Sequence, residues 1–136
     1  MHDENNRENT NLESILENNL DKVNWLYLSE NPNAIHILEK NLDKVSWYSL
    51  SSNPNAIHIL ENNLDKVNWF YMSINSCPDA VQLCRENIDK VNWITMSCNP
   101  CPDAIKLCKN NIDKVDWYWM SENPCPDTIQ LCSENI

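Results

Sequence analysis

Six cysteines stand in three pairs of equal spacing: Cys77 and Cys84, Cys101 and Cys108, Cys125 and Cys132. Cys98 is left over. Paired thiols can ligate a metal or close a disulfide, and spacing limits both readings. Zinc sites mostly use closer pairs, such as C-x2-C. Seven residues of helix rise about 10 Å, more than the ~7 Å between Cα atoms that a disulfide can bridge. Cys84, Cys108 and Cys132 also fill the slot held by Leu38 and Leu60 earlier in the chain, which suits small core residues. The pairs read as structural thiols in the reduced state, with a metal or a bridge between neighbouring units as the alternative. No metal and no cofactor is expected.

The other groups that carry chemistry point the same way. His36 and His58 share a slot with Gln82, Lys106 and Gln130, which marks a solvated face. Asp21, Asp43, Asp65, Asp89 and Asp113 recur with a Lys after each, where helix capping is the stronger account than acid–base work. An EF-hand loop is excluded by the complete lack of Gly. No nucleophile–base set recurs, so the chain is not expected to be an enzyme. Tyr27, Tyr71 and Trp119 occupy one slot that becomes Ser49 and Thr95 in other units. Variation at a fixed slot is what a binding surface uses. These three, with His36 and His58, form the candidate partner-binding surface.

What positions these residues is a repeat. Trp25, Trp47, Trp69, Trp93 and Trp117 step by 22, 22, 24 and 24 residues, as do Val23, Val45, Val67, Val91 and Val115. The Val and Trp columns are assigned to the repeat core, with a groove of ring faces as the alternative for Trp. The lengthening lies between "NPNAIHIL" and "NPCPDAIKLC", where two residues enter a loop. Repeats of this length are the mark of a solenoid.

Each unit divides into two helices. Asn53 and Pro54 read as an N-cap and first helical residue, and Pro102 with Asp103 as the same start in the longer units. Asn63 or Asp65 reads as the cap of the second helix, which carries Val67, Trp69, Phe70 and Met72. The pattern predicts A helices near 11–18, 33–40, 55–62, 79–86, 103–110 and 127–134, and B helices near 21–29, 43–51, 65–73, 89–97 and 113–121. The expected fold is therefore all-α, a short solenoid of two-helix repeats over 11–136, after a polar and disordered tail at 1–10. A leucine-rich-repeat-like β/α solenoid is the alternative, because Val67, Phe70, Met72 and Asn75 fit its strand consensus.

The stretch "VNWLYLSENPNAIHILEKN" resembles the leucine-rich variant repeat, a right-handed solenoid of alternating α and 3-10 helices, although its Arg is absent here. The stretch "NPNAIHILEKNLDKVSWYSLS" looks like the tandem repeats encoded by giant DNA viruses, over nearly all of the chain after residue 11. That likeness implies a viral source and a repeat class, and brings no catalytic residue with it.

Ten basic against 20 acidic residues give a formal net charge of -10 over 136 residues. That balance opposes nucleic acid and anionic membrane as partners. No apolar run reaches the ~20 residues of a membrane span, and the polar start is no signal peptide. An intracellular protein is expected, in host cytoplasm or virion if viral. Its expected role is a protein-interaction module with a protein or peptide partner, possibly a basic one. The alternative is a structural, possibly virion-associated, protein that self-associates through its solenoid ends, since "SENI" would open a further B helix.

Overall fold

The computed structural model describes residues 14–136, and the tail assigned to 1–10 lies outside the described residues. Helical residues 14–17 form α1. There follow α2 (Trp25–Glu30), α3 (Ile35–Glu39), α4 (Trp47–Leu50), α5 (Ile57–Glu61), α6 (Trp69–Ile74), α7 (Pro78–Glu86), α8 (Trp93–Cys98), α9 (Pro102–Lys109), α10 (Trp117–Glu122) and α11 (Asp127–Glu134). The described residues contain no strand, so the β/α alternative is overturned and the fold is an all-α solenoid.

The even-numbered helices stack as one layer, α2 on α4 and α6 on α8 on α10. The odd-numbered ones stack as another, α5 on α7 on α9 on α11. Between the layers Leu50, Met72, Met96 and Met120 are fully buried, with Leu60, Cys84 and Cys108 opposite them in the one core cluster. Val45, Val67, Val91 and Val115 are buried too, as the core assignment requires, and Val23 is half-buried.

The B helices are shorter than the pattern predicts. The Asn-Leu/Ile-Asp-Lys segment is not their first turn but a separate turn, in which Lys44, Lys66, Lys90 and Lys114 donate their backbone N–H to the Asn three residues back, each at 2.9 Å. Val67, Val91 and Val115 are then extended, and the helix opens one residue before each Trp. The side chains of Asn24, Ser46, Asn68, Asn92 and Asp116 accept from the N–H three residues on, at 3.1 to 3.3 Å. The caps expected at Asn63 and Asp65 are therefore wrong. Asp65, Asp89 and Asp113 are exposed, in 3-10 segments whose Asn starts carry no capping bond. The strand-like reading of "VNWITMS" fails for the same reason: a cap directly before Trp commits four to six residues to helix.

The A helices also start differently from expectation in the short units. α5 begins at Ile57 behind Ala56, which forms no side-chain cap, so Asn53 and Pro54 do not open it. In the long units Pro78 and Pro102 stand at the first helical turn with Asp79 and Asp103 beside them, as expected. Every A helix closes alike. Asn19, Asn41, Asn63, Asn87, Asn111 and Asn135 donate Nδ2 to the carbonyl four residues back, at 2.6 to 2.9 Å. This side-chain closure needs no left-handed residue, and none among the described residues has positive φ. A chain without Gly can therefore end its helices.

What Asn53 does instead is to join repeats. Its Nδ2 donates to the carbonyls of Ser29 and Asn31, at 2.9 and 3.1 Å, while its Oδ1 accepts from Asn55 N–H at 3.1 Å. Asn99 repeats this with Ser73, Asn75 and Cys101, and Asn123 with Ser97, Asn99 and Cys125. Asn75 makes the bond to Ser51 and accepts from Cys77 N–H. A second ladder runs through serines. Ser29, Ser51, Ser73 and Ser97 each accept the N–H of the next repeat's cap residue, at 2.9 to 3.0 Å. These buried polar groups satisfy one another only across repeat boundaries.

Candidate protein-interaction surface

With core and ladders assigned, the outward slots can be read one at a time. The residue after each Trp points to solvent. Leu26, Tyr48, Phe70, Ile94 and Tyr118 are 43% to 69% exposed, and all five are apolar or aromatic. This column escaped sequence reasoning, although it was visible as an unbroken apolar slot beside the Trp column. One position along a helix is a turn of about 100°, which carries this slot out of the core.

The next slot holds the expected residues. Tyr27 and Trp119 are exposed, and Tyr71 is half-buried. Tyr71 leans across a repeat boundary onto Tyr48, ring centroids 4.1 Å apart, and their hydroxyls are hydrogen-bonded. That bond, more than burial, holds the Tyr71 phenol above its usual value. Tyr118 and Trp119 meet edge to face at 5.1 Å. Ser49 and Thr95 are buried in the same slot: Ser49 Oγ donates to Glu30 at 3.3 Å, and Thr95 Oγ1 to the Phe70 carbonyl at 2.8 Å. The variation at this slot is thus partly a matter of packing between repeats.

The Trp column forms a seam. Trp25, Trp47, Trp69 and Trp93 are half-buried against the core, and each has a lysine of the following repeat over its ring. Lys44, Lys66, Lys90 and Lys114 lie 5.1 to 5.7 Å from the ring centroids, within cation–π range. A continuous groove of bare ring faces is therefore not what this column presents.

His36 and His58 belong to the other layer, on α3 and α5, so the structure does not bring them to the aromatic slots. His58 Nε2 pairs with Glu39 of the preceding A helix. A cleft of about 190 Å³ lies between α5 and α7, lined by His58, Glu61, Asp79 and Gln82 among others. A larger one, about 260 Å³, lies between α9 and α11 beside Lys106, Lys109, Asp127 and Gln130. Both are shallow, mixed-charge furrows between neighbouring A helices.

All seven thiols are free. Cys84, Cys101, Cys108 and Cys125 are buried, while Cys77, Cys98 and Cys132 are half-buried. Burial pushes Cys84 up to about 11, against an opposing hydrogen bond with Ser73, and pushes Cys108 up to about 12. Cys98 is raised by burial first and by Asp116 and Glu122 beside it. Such thiols are protonated and unreactive near neutrality. Among the described residues no three of His, Cys, Asp and Glu gather as a metal site, and no helix is long and apolar enough to cross a membrane.

Comparison with protein-family models, with curated proteins and with solved structures returns no match for this chain.

Proposed function

We propose that the chain is a non-enzymatic protein-interaction module whose working surface is the aromatic face of the B layer. The observation that carries this reading is the column Leu26, Tyr48, Phe70, Ile94 and Tyr118, exposed in every repeat although nothing in the fold requires an apolar residue there. Tyr27, Tyr71 and Trp119 widen it into a band. Aromatic side chains supply most binding energy at protein interfaces, because they bury large areas at low entropic cost. Contiguous apolar surface of this kind marks interaction sites. The partner is a protein or peptide that offers apolar side chains and, against a net charge of -10, a basic character. The role is intracellular, or within a virus particle if the resemblance to giant-virus repeats reflects its source.

The test is capture by the wild-type chain and by a variant with Tyr48, Phe70 and Ile94 all changed to Ser. A partner retained only by the wild type, and bound again from purified components, supports the reading. The same proteins captured by both chains would end it.

Assembly through the solenoid ends is the second reading. It is favoured by the carbonyls of Ser121 and Asn123, whose counterparts accept from the next repeat's Asn but which have no such donor among the described residues. Sedimentation across micromolar concentrations separates the two: a monomer throughout leaves the first.

A further inference from the structure

The geometry points to Trp117 as the receptor for a lysine or arginine side chain of a basic partner segment, a placement that rests on the interaction-module reading above. The fold itself shows what the Trp slot does. In four successive repeats a Trp at the start of a capped helix receives a lysine ammonium over its ring, at 5.7, 5.1, 5.7 and 5.6 Å. Trp117 has the same place at the start of α10, behind the side-chain cap Asp116. No lysine among the described residues lies over it, and it is the exposed member of the column, at 36%. The ring quadrupole that holds four internal cations is therefore presented to solvent in the fifth repeat.

A second, independent feature falls on the same repeat. The cap slot holds Asn24, Ser46, Asn68 and Asn92 in the other four, all neutral, and Asp116 here. Asn caps a helix as well as Asp does, so the carboxylate is not needed for that task. It places a negative charge next to the one Trp without a lysine. Glu122 on the same helix adds another, and both lie close enough to Cys98 to raise its thiol. Tyr118 and Trp119, both exposed, offer ring surface for the aliphatic stem of an incoming side chain. Aromatic faces with adjacent carboxylates select a cation and reject an anion.

The occupant is a basic segment of another protein rather than a second copy. Two chains of net charge -10 repel each other. Continuing both layers from α10 to the α2 of an incoming copy would also set that copy's α1, an A-layer helix preceding α2, where α11 already stands.

The probes are a capped octapeptide of alternating leucine and lysine, and the same peptide with every lysine acetylated. Binding is followed by the indole N–H signals of the six tryptophans. The lysine peptide is expected to shift Trp117 most, and the acetylated one to leave it in place. Trp117→Leu should weaken the lysine peptide about two- to five-fold, with no change for the acetylated peptide. Asp116→Asn preserves the cap, so it should leave the melting temperature unchanged while it weakens binding and flattens its salt dependence.

Failure of the lysine peptide to bind, shifts centred elsewhere, or unchanged affinity in both variants overturns the proposal. So does a concentration-dependent dimer that Trp117→Leu abolishes, because a second copy's Lys22 would then be the occupant. None of these outcomes touches the capture experiment with the Tyr48, Phe70 and Ile94 variant, so the broader reading can survive this one.

Discussion

Asn99→Ala is the sharpest probe of how the repeats hold together. Asn99 is fully buried and makes three hydrogen bonds: Nδ2 to the carbonyls of Ser73 and Asn75, both at 3.0 Å, and Oδ1 from Cys101 N–H at 3.0 Å. At ~1 kcal/mol net for each bond the loss is ~3 kcal/mol, and stranding buried partners brings it to roughly 3–5 kcal/mol. For a domain of this size that is a fall in Tm of roughly 10–20 °C. Asn31 is the natural control. It holds the same sequence slot but is exposed, and its side chain makes one described bond, from Asn33 N–H at 2.9 Å. Asn31→Ala should cost about 1 kcal/mol or less. Asn99→Asp discriminates further, since it turns a donor into an acceptor facing two carbonyl oxygens. At pH 7 it should be less stable than Asn99→Ala, with the gap narrowing in acid as the carboxyl protonates and can donate again. Thermal and urea melts followed by circular dichroism at 222 nm measure all three. If Asn99→Ala and Asn31→Ala agree within about 1 kcal/mol, or Asn99→Asp equals Asn99→Ala at every pH, the interaction between repeats does not run through this side chain.

The serine ladder predicts a similar contrast. Ser97→Ala strands the Asp116 N–H held at 3.0 Å and should cost about 1–2 kcal/mol in a urea melt. The exposed Ser121, bonded only within its own helix, should cost next to nothing. Thiol labelling of the native chain at pH 8 should modify Cys77, Cys98 and Cys132 well before the four buried cysteines, which react on the timescale of unfolding. Cys84 and Cys108 also make an alkaline signature. Both hold their protons more tightly when folded, so their contribution is complete below the usual thiol value of 9.0 and is lost as pH rises through about 11 and about 12. Cys84 alone should account for a loss of roughly 3 kcal/mol across that range. Cys84→Leu, with the residue that Leu60 supplies in the same slot, should flatten the pH dependence of Tm between 9 and 11.

The repeat, its two helices and its core slots were legible because they obey rules of local periodicity. Val45 and Cys84 sit where alignment with their siblings puts them. The caps were misread because Asn serves three roles in each unit. Asn53, Asn63 and Asn68 are one residue type at three slots: the first joins repeats, the second closes an A helix, the third opens a B helix. Propensity alone ranks all three as N-caps. Only the register of neighbouring repeats tells them apart, and that register is a tertiary fact. The exposed column after Trp was missed for the converse reason. Leu26, Phe70 and Ile94 look like core residues until the helix start is fixed one residue before Trp.

The ladders also limit where function can lie. An Asn that donates two bonds into the previous repeat and accepts one from its own loop leaves no freedom at its slot. The same holds for the Ser beneath each cap and the buried Met or Leu between the layers. A B helix of six residues, such as α6, then has only the slot after Trp, the next slot where it is not packed shut, and the slot before Asn that holds Glu30, Ser52, Ile74, Cys98 and Glu122. Because the last of these changes character from repeat to repeat while the first stays apolar throughout, selection for structure alone explains the former but not the latter. An exposed side chain that the fold does not need, kept apolar through five repeats on an acidic chain, costs solubility each time. The compensation has to come from something that covers it.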